Sequence, residues 1–337
     1  MLSNRLRRPL WIGLALVAAT GATVAGCATS NSSYSAANLT VVPHAAATPI
    51  GMGGMPLAVG TALARVPATP TPKPSHTAGA SATPASQTPS AVTYGPPGPS
   101  GQAMPVGNIP GWTQVFADDF ANQNVPIGQF PAAVSGQWTG YGDGSTDTTG
   151  NGTYMPSQVV SIHNGMMDLY LHTVNGVHMV AAPEPIIPHA PGSQGGLLYG
   201  MYEIRFKADP VPGYKTAWLL WPDSENWNDG EIDWPEADLD STFTASMHHV
   251  GDPQTEEFYT TNFSYTSWHT AIIQWTPQSV IFTLDGQVIG DDTNTSVIPS
   301  TPMHWVLQTE TQLSGGPPSD SASGHVYIAW LTAYERS

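Results

Sequence analysis

The chain has 337 residues, including 34 Gly, 32 Pro and one Cys, and its 9 basic and 25 acidic residues give a formal net charge of −16. This much Gly and Pro argues against a mainly helical protein, because both residues weaken helix interiors. A single Cys excludes an internal disulfide framework and any multi-cysteine metal site. The negative charge argues against a nucleic-acid partner, since such proteins neutralise phosphates with Lys and Arg.

The N-terminus has the pattern of an export signal. Three arginines within residues 5–8 precede an apolar run, residues 9–19, that is too short to span a bilayer. The segment ends in Val24-Ala25-Gly26-Cys27, which resembles a bacterial lipobox. We favour lipidation of Cys27 over an ordinary cleaved signal with an incidental Cys. The expected location is therefore extracellular or in the cell envelope, with a lipid as the only membrane anchor.

Residues 28–110 form a low-complexity stretch of Ala, Ser, Thr, Pro and Gly, as in Ala68-Thr69-Pro70-Thr71-Pro72. Such a composition cannot build a core and predicts a disordered, semi-flexible linker. Two interpretations stay open, a stalk that crosses the cell wall and a leader without a length requirement. All 25 acidic residues follow position 110, and we place the folded domain at residues 111–337.

Apolar residues in this domain alternate with a period of two. Tyr202, Ile204 and Phe206 alternate with charged residues, and the segments 281–285 and 326–330 have the same pattern. Asp285-Gly286 is typical of a hairpin turn between two strands. Many short strands separated by Gly, Pro, Asn and Asp predict an all-β domain built as a two-sheet β-sandwich.

Three acidic residues stand close together in Glu231-Ile-Asp-Trp-Pro-Glu236. In a strand, Glu231 and Asp233 share a face, whereas strict alternation would place Glu236 on the other face. One extra residue, a β-bulge, brings Glu236 back to the first face. Pro235 favours a bulge here, because proline cannot donate to the sheet ladder.

Three carboxyl groups on one face suit retaining glycoside hydrolysis, which uses one ionised carboxylate as nucleophile and one protonated carboxylic acid as proton donor. Like charges at short range raise at least one pKa, which supplies the protonated partner. A solvated acidic strand and a calcium site are the alternatives. Both fit poorly, because Trp227, Ile232 and Trp234 are interleaved with the acids.

The motif Glu-Ile-Asp-Trp-Pro-Glu resembles the bulged Glu-x-Asp-x-x-Glu signature of glycoside hydrolase family 16, in the form found in laminarinase-like enzymes. Its flanks are similar to family strands in the expected order: Gly200–Lys207, Ala217–Pro222, Trp227–Gly230, Met247-His248, Leu284–Gly286 and Ile328–Tyr334. The resemblance covers about residues 111–337.

The resemblance implies a jelly-roll sandwich with a concave substrate cleft, in which Glu231 is the nucleophile, Glu236 the general acid/base and Asp233 a tuning residue between them. It implies an endo-acting β-glucanase for β-1,3 or mixed β-1,3/1,4 linkages. A transglycosylase acting on β-glucan or xyloglucan-type chains and a non-catalytic glucan-binding module are the alternatives. The partner is then a polysaccharide, and we expect a monomer that needs no cofactor. The family often carries a structural calcium, whose ligands the sequence does not assign.

Candidates for substrate binding would stack on sugar rings or bond their hydroxyl groups, and aromatic character and strand alternation select most of them. They are Trp218, Trp227, Trp221, His248, Arg205, Gln308 and Glu310. Five of these have a structural alternative: core packing for the three tryptophans, a buried hydrogen-bonded side chain for His248, and a surface charge for Arg205.

Overall fold

A computed structural model describes residues 93–337 of the chain. The first strands are β1 (Thr93–Tyr94), β2 (Pro105–Val106), β3 (Trp112–Asp118), β4 (Trp138–Gly140), β5 (Ser145–Thr146), β6 (Gly152–Tyr154), β7 (Val160–His163), β8 (Met166–Val174), β9 (Val177–Val180) and β10 (Pro183–Pro185). The remaining strands are β11 (Gly200–Ala208), β12 (Tyr214–Pro222), β13 (Glu231–Asp238), β14 (Thr242–His249), β15 (Asp252–Ser264), β16 (His269–Trp275), β17 (Val280–Leu284), β18 (Gln287–Asp292), β19 (Met303–Thr311) and β20 (Gly324–Arg336). Across residues 93–337, helical structure is limited to α1 (Pro156–Val159) and the 3₁₀ turns Ala132–Val134 and Trp227–Asp229. Within the described residues, no helix has the length and apolar character needed to cross a membrane.

Two large sheets dominate the fold. The first has 11 strands, with the main order β18-β17-β16-β11-β20-β8-β9-β6-β5 and with β3 and β7 paired to β20 and β8. The second has five antiparallel strands in the order β15-β14-β13-β12-β19. Strand β13, which carries the three acids, is therefore the central strand of the five-stranded sheet, where neighbours on both sides hold its backbone in place.

The core lies between these sheets and is rich in aromatic side chains. Phe206 of β11 meets Trp218 of β12 edge to face, with ring centroids 5.1 Å apart. Tyr202 meets Trp305 of β19 in the same way at 5.2 Å. Aromatic pairs of this geometry contribute ~0.5–1.5 kcal/mol each beyond the area they bury. The predicted two-sheet β-sandwich is confirmed, with the alternating apolar residues of β11 facing inward.

The predicted hairpin at Asp285-Gly286 is also confirmed. It joins β17 to β18, and its two residues have φ values of 48° and 81°. Positive φ at both central positions is the geometry of a type I′ turn, whose twist matches that of the flanking strands. Gly at the second position adopts this conformation without steric cost.

The structured part of the chain begins earlier than the predicted boundary at residue 111. Strands β1 and β2 pair with each other, and the segment between them packs on the outer side of the 11-stranded sheet. The Trp330 indole N–H donates to the carbonyl of Gln102 at 3.1 Å, and the Gln114 amide donates to that of Pro105 at 3.0 Å. A Pro- and Gly-rich composition predicted a linker here, whereas contacts with distant strands hold the backbone. The predicted signal segment with Cys27, and the linker up to residue 92, lie outside the described residues.

Candidate active site

A β-bulge in β13 brings the three acidic side chains to one face of the five-stranded sheet. Asp233 pairs with Ser246 and Glu236 with Thr244, so Trp234 and Pro235 together oppose a single residue of β14. The same shift occurs against β12, where Leu219 and Ala217 are the partners. The predicted bulge is thereby confirmed. We call the face that carries Glu231, Asp233 and Glu236 the acidic face.

The bulge is anchored from the core side by Trp234. This side chain is 1% exposed, packs edge to face against Phe243 and Phe282, and donates its indole N–H to the carbonyl of Thr283 at 3.1 Å. This bond avoids the cost of an unpaired N–H in the core, which is ~1–3 kcal/mol. Trp234 therefore points into the core, as Ile232 does, whereas the three acids of the motif lie on the opposite face.

Glu231 stands at the start of β13 and has a short hydrogen bond. The indole N–H of Trp227 donates to its Oε2 at 2.6 Å. Burial raises the pKa of Glu231 well above its ordinary value, and the charges of Asp233 and Glu236 add to this, while His248 and the Trp227 bond oppose it. A donor aimed at one carboxylate oxygen favours the ionised form and fixes the other oxygen in space.

The turn that presents Trp227 requires a glycine at its end. The 3₁₀ turn Trp227–Asp229 begins at Asn226, whose side chain accepts a hydrogen bond from the backbone N–H of Asn228. Gly230 then has φ of +88°, and a Cβ there would lie 2.7 Å from Cγ of Pro299. Only glycine tolerates both the conformation and the close contact. The sequence Trp-Asn-Asp-Gly therefore fixes where the indole meets Glu231.

Asp233, between the two glutamates, is 3% exposed and is held from β14. The hydroxyl of Ser246 donates to its Oδ2 at 3.0 Å, and Nε2 of His248 lies 3.4 Å from the same oxygen. The other ring nitrogen of His248 donates to the carbonyl of Pro253 at 2.8 Å. The imidazole thus has an acceptor at both ends, which favours its protonated form.

The charge state of His248 follows from these contacts. Burial lowers its pKa, but the hydrogen bond and charge of Asp233 and the charge of Glu231 outweigh burial and raise the pKa to about 10. Oε2 of Glu256 also lies 3.7 Å from Nε2, so at neutral pH the ring is a cation beside three carboxyl groups, those of Asp233, Glu231 and Glu256. Ligand atoms of Glu231, Asp233 and His248 lie within 4.8 Å of one another, close enough to surround a metal ion. In the absence of a metal, the same three side chains are placed to pair as charges, with Nε2 of His248 3.4 Å from Oδ2 of Asp233.

Glu236, the third acid, is paired with a lysine. The Nζ atom of Lys215 lies 2.7 Å from its Oε1 and 3.9 Å from Oε2 of Glu310. Burial raises the pKa of Glu236, while the ammonium group of Lys215 lowers it and the charge of Asp233 raises it again. The two glutamates of the motif therefore differ in their partners: a neutral indole for Glu231 and a cation for Glu236.

Two predicted substrate contacts are corrected by the structure. Trp218 is 0% exposed and packs against Phe206 in the core, so its ring cannot stack on a sugar. Its position in β12 alternates away from Ala217 and Leu219, which pair with the acidic strand. Arg205 belongs to β11 in the other sheet and contacts Asp285 and Thr270 there. Its side chain therefore lies away from the acidic face.

Glu310 is likewise corrected, because it is 1% exposed and cannot meet substrate directly. Its Oε1 accepts from the hydroxyl of Tyr154 at 2.7 Å and from the backbone N–H of Thr148 at 3.0 Å. Gln308 is nearly buried and pairs with Ala217, the residue beside Glu236. Trp221 alternates onto the acidic face and donates to Glu225 at 3.3 Å.

The structure brings two residues to this face that sequence reasoning missed. Lys215 was not among the predicted site residues, although a lysine within the largely apolar and aromatic strand β12 was a usable signal. Phe258 of β15 is 54% exposed and pairs with Ser246, which in turn pairs with Asp233. A Phe that follows two glutamates, in Glu256-Glu257-Phe258, was a usable signal of an exposed aromatic ring. Phe258 therefore presents a ring two strands away from the central acid.

Comparisons with known proteins agree with the geometry. Residues 190–332 match the family described as glycosyl hydrolases family 16. Crh-like protein 3 of Botryotinia fuckeliana is 28% identical over 140 residues, which are 40% of this chain and 31% of that protein, so the chain spans about a third of the length of this curated relative.

Solved structures share the fold. The laminarinase from Rhodothermus marinus has a TM-score of 0.55 at 17% identity, covering 67% of this chain and 98% of that one. The β-glucanase of Bacillus licheniformis has a TM-score of 0.52 at 20% identity, covering 66% of this chain and 98% of that one. At these identities, the structural likeness establishes the jelly-roll sandwich.

Proposed function

We propose that this chain, which belongs to glycosyl hydrolase family 16 through residues 190–332, is a retaining, endo-acting hydrolase of β-1,3- or mixed β-1,3/1,4-glucans. Family membership makes it a glycoside hydrolase that acts on O-glycosyl bonds. The observation that carries the finer proposal is the bulge in β13, which places Glu231, Asp233 and Glu236 side by side with different hydrogen-bond partners.

The proposed reaction has two steps. Glu236 gives its proton to the glycosidic oxygen as that bond breaks, and the carboxylate of Glu231 bonds to the anomeric carbon. Glu236, now ionised, takes a proton from water, whose oxygen displaces Glu231 and releases the sugar with its original configuration. The Trp227 bond to Glu231 supports the nucleophile role, since it leaves one oxygen of that carboxylate to attack.

The proposed substrate class draws on two features. The structural relatives include a laminarinase and a β-glucanase, and a net charge of −16 opposes polyanionic chains such as sulfated galactans. We further propose an exported, monomeric enzyme with a lipid anchor at Cys27 and no required cofactor. A structural calcium away from the acidic face stays a prediction without assigned ligands.

Product analysis with matched variants tests the function. Purified protein is incubated with laminarin, lichenan, agarose and xyloglucan, the products are sized, and the anomeric configuration of the first products is followed by NMR. We expect shortened laminarin or lichenan products with retained β configuration. Replacements Glu231→Gln and Glu236→Gln should remove nearly all turnover, whereas Glu335→Gln, an exposed residue at the end of β20 in the other sheet, should not.

Each alternative has its own result. Redistribution of chain lengths without new reducing ends would identify a transglycosylase, which intercepts the same covalent intermediate with a sugar. Binding without any product would identify a glucan-binding module. Wild-type turnover in the Glu231→Gln variant would refute the assignment of the nucleophile.

A further inference from the structure

Lys215 is unusual among the basic residues of this chain. Only four Lys or Arg residues follow position 110, and the other three lie on strands of the 11-stranded sheet: Arg205 and Lys207 on β11, and Arg336 on β20. Lys215 is the one Lys or Arg in the five strands β12 to β15 and β19. An acidic protein with few cations thus places one of them directly beside the acid/base carboxyl group.

The position is costly unless the charge is used. Lys215 is 5% exposed, and a buried ammonium group needs good partners, because desolvation costs several kcal/mol. Glu236 at 2.7 Å and Glu310 at 3.9 Å are those partners. Burial lowers the pKa of Lys215, but the two glutamates outweigh burial and raise it. The side chain therefore stays cationic across the neutral range.

Glu310 on the far side of Lys215 is itself held in place. It is fixed by Tyr154 and by the backbone of Thr148, and its strand position pairs directly with that of Lys215. The cation is thus shared between Glu236 and Glu310, which lies toward the same side of the sheet but is covered by Tyr154 and Thr148. Any change in the charge of Glu310 alters how strongly Lys215 acts on Glu236.

We propose that Lys215 is a positioning residue that holds the ionised form of Glu236 between the two chemical steps, and that Glu310 limits this effect so that Glu236 can still carry a proton in the first step. The inference rests on the proposed role of Glu236 as acid/base. Because Lys215 occupies Oε1, Oε2 is the oxygen left to exchange the proton with the glycosidic oxygen and with water.

The other charged groups near Glu236 set the background for this balance. They are Asp233, Glu231 and Asp238 on its own strand, His248 on β14 beside Asp233, and Glu310 on β19. Asp238 also pairs directly with Lys215 across β12 and β13. The uncharged hydroxyl of Tyr265 lies on the core side. The negative charges of Asp233, Glu231 and Glu310 all oppose ionisation of Glu236. Lys215 is the group that favours ionisation of Glu236 by direct contact. Removing Lys215 should therefore raise the pKa of Glu236, and removing the charge of Glu310 should lower it.

The test compares Lys215→Met, Glu310→Gln, the double variant and Lys215→Arg. The alkaline limb of kcat/KM on laminarin reports the acid in the free enzyme. Lys215→Met should move this limb to higher pH by ~1–3 units, the range expected for loss of a contacting opposite charge. Glu310→Gln should move it to lower pH, and Lys215→Arg, which keeps the charge, should restore the wild-type limb.

A second readout does not require turnover. Carbon-13 NMR titration of the Glu236 carboxyl group, assigned by its loss in Glu236→Gln, follows its protonation directly in each variant without substrate. Lys215→Met leaves Glu310 buried without its cation and could prevent folding. If Lys215→Met does not fold, comparison of the double variant with Glu310→Gln tests the proposal. In the double variant, the Glu236 titration should lie above that of Glu310→Gln.

The outcomes are distinct. Opposite shifts in Lys215→Met and Glu310→Gln, with a normal profile in Lys215→Arg, support the proposal. Equal losses of kcat with an unmoved titration of Glu236, or shifts in the same direction, would overturn it and leave Lys215 a structural residue. If no glucan is cleaved at all while the NMR titrations shift in opposite directions, the proposed function fails but the control of Glu236 by Lys215 stands.

Discussion

Replacement of His248 by Gln should remove stability in a pH-dependent way. The pKa of His248 rises from 6.5 to about 10 in the folded protein. A histidine with a raised pKa stabilises the fold fully at pH values below its unfolded pKa, and this contribution is lost as the pH rises through the folded pKa. The affected window therefore runs from about pH 6.5 to about pH 10. Gln keeps a donor for Asp233 but has no charge.

The magnitude follows from the same pKa values. Each pH unit between the two pKa values corresponds to ~1.4 kcal/mol, which gives an upper limit of roughly 5 kcal/mol. The His248 side chain is 19% exposed, so solvent screening reduces the contribution, and we expect a loss of ~2–3 kcal/mol near pH 6.5. At pH 10 the difference between wild type and variant should fall to a few tenths of a kcal/mol.

Urea unfolding at half-unit steps from pH 6.5 to pH 10 measures this difference. The control is His249→Gln, a neighbouring histidine that contacts Glu257 at 3.2 Å instead of the motif acids. The two variants should also differ in the pH profile of kcat/KM. Without the His248 charge the pKa of Glu231 rises, so the acid limb of His248→Gln moves to higher pH, whereas that of His249→Gln stays in place. A difference in stability that stays constant or grows with pH would refute the reasoning.

Two further substitutions test individual contacts. Trp227→Phe removes the 2.6 Å hydrogen bond to Glu231. Because a hydrogen bond to a charged group contributes ~1.5–3 kcal/mol, kcat/KM should fall roughly 10- to 100-fold, and the acid limb of its pH profile should move to higher pH. An unmoved limb would show that the indole does not act on the carboxylate. Phe258→Ala removes an aromatic ring that is 54% exposed and should raise KM for long glucans by roughly 2- to 10-fold with little change in kcat. Phe263→Ala, on the same edge strand and 39% exposed, is its control, and equal effects of the two replacements would contradict a specific role for Phe258.

Local patterns predicted the parts of the fold that depend on neighbours in the chain. Alternation in 202–206 predicted β11, and Asp285-Gly286 predicted the turn that follows β17, because both signals act over a few residues. The bulge was predictable for the same reason. Three acids with a spacing of two and three, and a proline that cannot donate, leave one arrangement that puts them all on one face.

Sheet membership could not be derived in this way. Alternation predicted that Arg205 points away from Ile204, but it could not tell which side of the sandwich that face is on. Trp218 and Trp221 are three residues apart in one strand, so one of them had to face the core. The pairing of Ala217 and Leu219 with β13 decides that it is Trp218. Such decisions depend on the register between strands and not on the strand's own pattern.

The same limit applies to the chemistry of Glu236. Its motif specifies a carboxyl group in the right place, but its proton affinity depends on Lys215, 21 residues earlier, and through Lys215 on Glu310, which is anchored to Tyr154 at a separation of 156 residues. These contacts exist only because β19 lies beside β12 in one register. The motif therefore identifies the reacting carboxyl groups, whereas the pH at which they react depends on residues in strands outside the motif. Replacing Lys215 or Glu310 should accordingly shift the pH range of activity and leave the type of bond that is cleaved unchanged.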